Sequence, residues 1–306
     1  MRRPRALRAG DCIALVAPGS PFDRAVFDRG VDEVRALGFT PVFEPDVFAR
    51  RQYVAGAPEV RANAFAAAWR DPAVTGVLAV RGGYGSAQLL PRLDAAEMRA
   101  GGKVLLGSSD VTALLSFLTT RCGLIAFHGP MLVHLAAGDA GYDRESLLGQ
   151  LMRARPYGEL AADGIEVLKA GRARGPLFGG TLTQLAASLG TPYAFDPPRG
   201  FVLLLDEVGE RPYRVDRMLE QLGQAGVLSR AAAVVCAEFP GCDELGAGPT
   251  ARSTLADRLS EVPGPVLFGL PTGHAAGPLL TVPLGVEVSV DATGRGRLIV
   301  EEAAVA

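Results

Sequence analysis

The sequence predicts an α/β protein with two domains, and two observations support this class. Short apolar segments in the first half lie at 12–17, 40–43, 76–80, 104–106 and 124–127. Strands that are apolar throughout and alternate with helices are typical of a parallel sheet covered on both faces. The length of 306 residues also fits two domains at roughly 150 residues each. The first half therefore predicts a parallel sheet of the flavodoxin-like or Rossmann-like type.

Segments of helical periodicity separate these strands, at 22–37, 57–69, 86–93 and 111–120. Loops that follow the carboxyl ends of parallel strands form the ligand-binding edge of such a sheet. Two of the most glycine-rich turns fall in this class of loop, namely Arg-Gly-Gly-Tyr-Gly at 81–85 and Gly-Ser-Ser-Asp at 107–110. The sequence therefore predicts that these two turns contribute to a functional site.

The second half predicts a more mixed domain. A polar, glycine-rich segment at 157–174 is interpreted as a linker between domains at 1–156 and 175–306. Helices are predicted from 179–181 to Leu189 and over 212–222, and strands over 201–205 and 231–237. The segment 280–300 alternates like antiparallel strands around two turns. We therefore expect a mixed α+β domain.

The charge balance argues against a nucleic-acid partner. The chain has 31 basic and 33 acidic side chains and a formal net charge of −2, so nothing attracts a phosphate backbone. Its four cysteines are scattered singly and lack the close pairs of a zinc site; they are Cys12, Cys122, Cys236 and Cys242. Buried, reduced thiols are expected, with no metal centre.

The basic N-terminus does not predict a signal peptide. The apolar run at 12–17 that follows it is interrupted at Pro18, and a signal peptide needs a longer apolar core. No segment approaches the ~20 apolar residues that cross a bilayer. We expect a cytoplasmic protein with no membrane partner.

Ser109 is the candidate nucleophile. It lies in segment 104–118, where a buried strand enters a turn of small residues and then a helix. A serine at such a corner projects its hydroxyl, while the amide of Asp110 and the start of the helix face the same space, which suits an oxyanion. The alternative is that Ser108, Ser109 or Asp110 only caps the helix.

Three histidines are available as a general base. His274 lies in a glycine-flanked loop after the apolar strand at 265–268, where a side chain can reach a cleft. His128 also follows a strand, and it can either serve as the base or pack as a hydrogen-bonded core residue. His134 lies in apolar, helix-like sequence and is interpreted as structural.

Asp206 and Glu207 are the candidate acids because they end the apolar strand at 201–205. A carboxylate in this role fixes the imidazole tautomer and stabilises the charged imidazole. Successive strand side chains point to opposite faces, so one of the two is expected to face His274. The alternative is that both are ordinary charges in an exposed loop.

The glycine loop at 81–85 can supply a second oxyanion donor, since glycine lets backbone N–H groups approach a substrate closely. It matches neither a dinucleotide fingerprint nor a Walker loop. A tight turn that needs glycine is the alternative interpretation.

Together these features resemble the LD-carboxypeptidases, the muramoyltetrapeptide carboxypeptidase family of serine peptidases. Four blocks carry the resemblance, in matching order and spacing: 80–85, 107–112 with 127–131, 205–219, and 273–275 with 282–285. The resemblance covers nearly the whole chain. It implies an N-terminal α/β domain, a C-terminal β-rich, swivelling-barrel-like domain, a site between them and a possible homodimer.

The resemblance also implies a catalytic triad without metal or cofactor. The nucleophile is carried onto Ser109 and the base onto His274. The family pattern Leu-Glu-Asp is Leu-Asp-Glu at 205–207 here, so Asp206 occupies the position of the family's glutamate and Glu207 is the alternative acid. Backbone N–H groups of Asp110 and of Gly83 or Gly82 are the implied oxyanion donors.

The activity that the resemblance implies is acyl transfer on muropeptide tetrapeptides. The family cleaves the bond between an L-centre, at lysine or diaminopimelate, and terminal D-alanine, during cytoplasmic recycling of the cell wall. A small peptide or muropeptide is therefore the expected partner.

Two alternatives remain. Immunity-type relatives hydrolyse acyl-phosphoramidate or acyl-sulfamate linkages of aminoacyl-nucleotides; aromatic side chains near the cleft would favour this activity, and the only tryptophan, Trp69, is predicted in a surface helix. A non-catalytic muropeptide-binding protein is the other alternative, and retention of Ser109 and His274 argues against it.

Overall fold

A computed structural model describes residues 1–306. Its first half contains the strands β1 (Cys12–Val16), β2 (Thr40–Val42), β3 (Val74–Ala79), β4 (Val104–Gly107) and β5 (Ala126–His128). The helices are α1 (Arg24–Ala36), α2 (Pro58–Arg70), α3 (Ala95–Gly101), α4 (Thr112–Ser116), α5 (Leu132–Leu135) and α6 (Arg144–Met152). Short 3-10 turns occur at Pro45–Phe48, Ser86–Arg92, Ser109–Val111 and Gly138–Ala140, and a π-helical turn at Phe117–Arg121.

Helix α1 shows why these segments fold locally as the pattern predicts. The Asp23 side chain accepts a hydrogen bond from Val26 N–H at 3.0 Å and so caps the helix start. Phe27, Val31 and Val34 recur at helical spacing and are buried against the sheet. A capped, amphipathic segment of this kind folds as a helix because one face can be removed from water.

The second half contains the strands β6 (Gly158–Glu159), β7 (Glu166–Lys169), β8 (Arg172–Thr181), β9 (Phe201–Asp206), β10 (Ala231–Ala237), β11 (Val266–Leu270), β12 (Val282–Leu284), β13 (Glu287–Asp291) and β14 (Arg297–Val300). Its helices are α7 (Leu182–Ser188), α8 (Pro212–Gln224) and α9 (Ala251–Arg258), with a 3-10 turn at Leu228–Arg230. The segment 157–174, predicted as a linker, forms β6, β7 and the start of β8. These strands were not predicted because their sequence is polar. Their sequence can be polar because they lie at sheet edges or are only partly buried.

The first sheet has the strand order β12-β5-β4-β3-β1-β2. All its pairs are parallel except that of β12 with β5, which is antiparallel. Strand β12 comes from the second half of the chain, which the sequence placed wholly in the other domain. Its three residues are buried, and they cover the edge that β5 would otherwise expose.

The second sheet has the order β6-β14-β13-β8-β9-β10-β11-β7. Its four central strands, β8 to β11, are parallel, and antiparallel strands flank them on both sides. The antiparallel pattern predicted for the C-terminal segment therefore describes the periphery of this sheet. Strands β9 and β10 are apolar and almost completely buried, as expected for the parallel centre of a sheet.

Side-chain alternation in β9 divides the interior into two cores. Val202 and Leu204 pack into the larger core, which also contains the interior of the first sheet. Leu203 and Leu205 point the other way, into a smaller core beneath α7, α8 and α9. Because the alternation continues along the chain, Asp206 faces the first sheet and the next residue faces α7.

Trp69 lies on the inner face of α2, a helix that also has an exposed face at Glu59 and Arg70. It is 1% exposed, stacks on Phe65 and donates its indole N–H to the Met98 carbonyl at 2.9 Å. The end of α2 that carries Trp69 therefore packs against α3, a helix that the sequence analysis missed. None of the helices combines the length and the hydropathy needed to span a bilayer.

Candidate active site

Ser109 stands at a strained corner between β4 and α4. Its backbone φ is +60°, a left-handed conformation that is uncommon and costly for a residue other than glycine. A serine held in this way on a strand-to-helix turn is typical of a nucleophile elbow. The side chains of Ser108 and Val111 make no capping hydrogen bond to the helical turns that follow. The structure therefore does not show the helix cap that was the alternative interpretation of this turn.

Asp110 holds the glycine loop against this corner. Its buried carboxylate accepts hydrogen bonds from Gly85 N–H at 3.1 Å, Ser86 N–H at 2.7 Å and Ser86 Oγ at 2.6 Å. Burial raises the pKa of Asp110, although these hydrogen bonds oppose the rise. The contacts fix the loop at 82–85 relative to Ser109, and the sequence analysis considered only the backbone of Asp110.

The loop leaves two backbone donors free beside the serine. Tyr84 N–H donates to Ser20 Oγ at 3.1 Å, and Gly85 N–H is bound by Asp110. The N–H groups of Gly82 and Gly83 donate to no protein group. Gly82 lies so close to the corner that a Cβ there would come within 2.8 Å of Ser109 Oγ. Both glycines therefore remain candidates for an oxyanion donor.

His274 is paired with Asp206. His274 Nδ1 lies 2.8 Å from Asp206 Oδ2, and its backbone N–H donates to Oδ1 at 3.1 Å. The carboxylate is fully buried and the imidazole is 17% exposed. The connection that carries His274 runs from β11 of the second sheet to β12 of the first sheet. The imidazole therefore lies where the two sheets meet, near the carboxyl end of β9.

The pair shifts both pKa values toward the charged forms. Burial lowers the pKa of His274, but the hydrogen bond and charge of Asp206 outweigh it and the pKa is raised. Burial raises the pKa of Asp206, but the hydrogen bond and charge of His274 outweigh it and the pKa is lowered. An ionised carboxylate bound to Nδ1–H leaves Nε2 free to accept a proton.

Glu207 lies on the opposite side of the strand end. Its carboxylate accepts hydrogen bonds from Thr183 N–H at 2.8 Å, Thr183 Oγ1 at 2.6 Å and Val208 N–H at 3.0 Å. Burial raises the pKa of Glu207 against the effect of these bonds. Glu207 thus stabilises the first turn of α7, while the structure brings Asp206 to His274.

Thr181 links the segment that carries Ser109 to the His274–Asp206 pair. The sequence analysis did not identify this residue. Its backbone N–H donates to Thr112 Oγ1 at 3.0 Å, and its hydroxyl donates to Asp206 Oδ2 at 3.1 Å. Ser109 Oγ and His274 form no direct hydrogen bond; such bonds often tighten only when substrate is bound. No local signal could identify Thr181, because its partners lie 69 and 25 positions away.

The other two histidines occupy different settings. His128 ends β5 and is completely buried, with its Nε2 3.9 Å from Asp206 Oδ2. His134 Nδ1 accepts the N–H of Met131 at 2.9 Å at the start of α5. This is a structural capping contact, as the sequence suggested for His134.

Arg61 is a second buried contact that the sequence did not reveal. It lies on α2, and its guanidinium donates to the carbonyl groups of Gly56 at 3.1 Å and Gly85 at 2.8 Å, and also to that of Pro18. These bonds tie the loop after β1 to the glycine loop. No cluster of three or more His, Cys, Asp or Glu side chains is arranged to hold a metal ion.

A strained serine on a strand-to-helix corner and a buried histidine–aspartate pair, linked here through Thr112 and Thr181, are features typical of serine hydrolases. The LD-carboxypeptidase N-terminal domain matches residues 13–129, and the LD-carboxypeptidase C-terminal domain matches residues 174–290. The chain belongs to this family of peptidases, Peptidase S66, and the resemblance inferred from the four sequence blocks is confirmed.

Relatives that cover most of the chain agree with this assignment. The murein tetrapeptide carboxypeptidase of Pseudomonas aeruginosa is 32% identical over 86% of this chain and 88% of its own length. The crystal structure of muramoyltetrapeptide carboxypeptidase from Oxalobacter formigenes is 28% identical, with a TM-score of 0.83 over 95% of this chain and 99% of that one. The protein is therefore an enzyme of the carboxypeptidase type.

The fold is also shared with an immunity protein. The microcin C7 self-immunity protein MccF, in complex with glutamyl sulfamoyl guanosine, has a TM-score of 0.88 over 100% of both chains. Its sequence identity to this chain is 24%, so this likeness supports the common fold and does not by itself assign a substrate.

Proposed function

We propose that this protein is a serine-type LD-carboxypeptidase that releases terminal D-alanine from muropeptide tetrapeptides. The observations that carry the proposal are the His274–Asp206 pair and the strained Ser109, linked through Thr181 and Thr112, in a chain whose relatives are named as carboxypeptidases of these peptides. The scissile bond joins an L-centre, at lysine or diaminopimelate, to D-alanine. The proposal includes no metal or cofactor.

In the acylation step, His274 Nε2 takes the proton of Ser109 and Oγ attacks the carbonyl carbon of the scissile amide. The carbonyl oxygen becomes an oxyanion and accepts hydrogen bonds from the N–H of Asp110 and of Gly83 or Gly82. One donor of this kind is typically worth ~3 kcal/mol in the transition state. The fixed glycine loop supports this role because its donors need no rearrangement during the reaction.

In the second step, the protonated His274 gives its proton to the departing amine of D-alanine, which leaves an acyl-enzyme on Ser109. Water then attacks the ester, with His274 again as the base, and restores the serine. Asp206 holds the Nδ1–H tautomer and stabilises the imidazolium in both steps. Its two oxygens contact the imidazole and the backbone of the same residue, which supports Asp206 over Glu207 as the acid despite its shorter side chain.

The test is a comparison of matched tetrapeptides that end in D-alanine or L-alanine. We expect D-alanine release from the peptide with the L-to-D bond and at least ~10²-fold slower cleavage of the L,L peptide, because catalysis requires oriented reacting groups. Coupled D-amino-acid oxidase and mass spectrometry measure the products. Binding of the tetrapeptide without any release would instead indicate the non-catalytic muropeptide-binding alternative.

An immunity-type hydrolase of aminoacyl-nucleotides is the second candidate function. Tyr53 and Tyr84 are 60% and 52% exposed, and their ring centroids lie 5.4 Å apart. Tyr84 directly follows Gly83, so the aromatic pair lies beside the proposed oxyanion donors. Exposed aromatic faces can stack on a nucleobase, and this observation favours an acyl-phosphoramidate or acyl-sulfamate substrate.

A direct competition separates the two candidates. The carboxypeptidase proposal predicts a higher kcat/KM for the muropeptide than for an aminoacyl sulfamoyl nucleoside. It also predicts that Tyr84→Ala changes cleavage of both substrates by less than ~10-fold, since the proposed acyl-transfer step uses no group of the ring. A higher kcat/KM for the nucleoside, lost selectively in Tyr84→Ala, would favour the immunity-type function.

Replacing Gly82 tests the proposed oxyanion loop. In Gly82→Ala the new Cβ would lie 2.7 Å from Ser109 Cβ, so the loop must move away from the nucleophile. We expect kcat to fall by about 10²-fold or more, the usual effect of losing one oxyanion donor. Gly294→Ala, in open space, is the matched control and should keep its activity; equal activities of the two variants would rule out this role of the loop.

We also propose a homodimer in the cytoplasm. The homodimer, the cytoplasmic location and the swivelling-barrel-like description follow from the family resemblance. The flavodoxin-like description and the domain bounds 1–156, 157–174 and 175–306 follow from the sequence pattern and stay predictions, except that 157–174 contains β6, β7 and the start of β8. Light scattering after size-exclusion chromatography measures the mass in solution, where a dimer is expected at twice the 31.9 kDa of the chain.

A further inference from the structure

His128 is a buried polar residue that the mechanism above does not use. It ends β5, where it pairs with Gly107 of β4 on one side and Val282 of β12 on the other. The side chain is fully buried, and neither Nδ1 nor Nε2 has a hydrogen-bond partner. Buried polar groups are normally paired, and an unpaired one in a native structure calls for a physical explanation.

The surroundings of the imidazole point to the carboxylate of Asp206. His128 Nε2 lies 3.9 Å from Asp206 Oδ2, the oxygen that also contacts His274 Nδ1 and the hydroxyl of Thr181. This separation is longer than a hydrogen bond, but a charge and a bond dipole interact strongly over it in a buried site. Asp206 is thus approached by His128 from the first sheet and by His274 from the loop that joins β11 to β12.

His128 is neutral in this position. Burial lowers the pKa of His128 to about 4, and the opposing effect of Asp206 does not restore it. A neutral imidazole carries one N–H, and which nitrogen holds it follows from the neighbours. The Nε2–H tautomer turns the positive end of a dipole toward the carboxylate, whereas the other tautomer would turn a lone pair toward it.

Resting on the proposed function, we propose that His128 is a positioning residue whose neutral Nε2–H faces Asp206 from the first sheet and holds its carboxylate in place for His274. The contact couples the sheet that carries Ser109 to the strand that carries the acid. It also opposes protonation of the Asp206–His274 pair, because a positive dipole disfavours an added proton nearby.

The titratable groups around the His128–Asp206 contact determine how its loss changes the pH dependence of kcat/KM. Asp206 and His274 face His128, Glu207 acts on His274 from the other side of β9, and His134 is affected by both members of the pair. Removing the Nε2–H dipole leaves the other groups in place and makes the pair easier to protonate. In the plot of kcat/KM against pH, the acidic limb, where activity falls as His274 becomes protonated, then moves to higher pH.

The test compares His128→Leu with His128→Gln in the full chain. The glutamine amide can place an N–H near the position of Nε2, whereas leucine fills the space without a donor. We expect His128→Leu to lower kcat by about 10-fold or more and to raise the pH of the acidic limb. His128→Gln should recover most of kcat and restore the limb. An unmoved limb in His128→Leu, or equal defects in both variants, would overturn the proposal.

Two further measurements keep the outcome clear. If His128→Leu does not fold, His128→Asn replaces it, because its shorter amide ends near Nδ1 and leaves no donor toward Asp206; its limb should also move to higher pH. NMR titration of His274 needs no substrate, and the pKa of His274 should rise in the variants without a donor and stay unchanged in His128→Gln. Failure of the wild type to release D-alanine would count against the proposed function only, whereas an unchanged His274 titration would count against the role of His128.

Discussion

Replacing Ser109 by alanine is expected to abolish D-alanine release, with kcat lowered by at least ~10⁴-fold. The variant removes the proposed nucleophile, the hydroxyl that stands at the strained corner against Gly82 of the glycine loop. Alanine at φ +60° pays the same backbone strain as serine, so the fold should be kept. Product release, and trapping of the acyl-enzyme by mass spectrometry in the wild type alone, measure the effect.

Ser108→Ala is the matched control for this prediction. The Ser108 hydroxyl is buried one position away and has no hydrogen-bond partner, so its removal leaves no group unpaired. We expect activity within ~10-fold of the wild type, since no interaction in the transition state is lost. Wild-type D-alanine release by Ser109→Ala would refute the acyl-enzyme mechanism.

Asp206→Asn is expected to have the second largest effect, a fall in kcat of about 10³- to 10⁴-fold. An amide can no longer hold His274 in the Nδ1–H tautomer or stabilise its charged form. The pH dependence should change as well. Because Asp206 raises the pKa of His274 against the lowering effect of burial, its loss lowers that pKa and moves the acidic limb of the residual activity to lower pH.

Glu207→Gln is the matched control and should keep activity within ~10-fold. Glu207 binds Thr183 and Val208, and a glutamine oxygen can still accept part of these bonds. The expected cost is on the order of 1 kcal/mol in the free energy of unfolding, measured by thermal or denaturant unfolding. A larger loss of kcat in Glu207→Gln than in Asp206→Asn would reverse the assignment of the acid.

The two pH predictions move the same limb in opposite directions. Loss of the negative charge of Asp206 makes His274 harder to protonate, while loss of the His128 dipole makes the pair easier to protonate. A general disturbance of the site would not produce opposite shifts from neighbouring positions. Measuring both variants with one substrate and one buffer series therefore tests the electrostatic arrangement of the site as a whole.

Local patterns anticipated several parts of the fold well. The strand at 231–237 is observed as β10 with the same bounds, and the helix predicted over 57–69 is observed as α2, displaced by one residue. Such segments carry their own periodicity and burial pattern. By contrast, β6 and β7 lie in polar sequence, and their pairing with distant strands gives no local signal. The sequence also did not show which strand pairs with β12, because a three-residue apolar strand fits either sheet.

The sequence by itself determined the alternation of strands and helices, the corner at Ser109 and the pair of acids of which one would face a histidine. The match to the family pattern already placed Asp206 at the position of the acid, and the tertiary structure shows its carboxylate in contact with His274, since that contact depends on which face of β9 meets the first sheet. Only the tertiary structure decided the contacts of Thr181 and His128. The physical reason is that periodicity along the chain encodes local conformation and burial, whereas contacts between distant residues depend on how the two sheets pack and on the register of their strands.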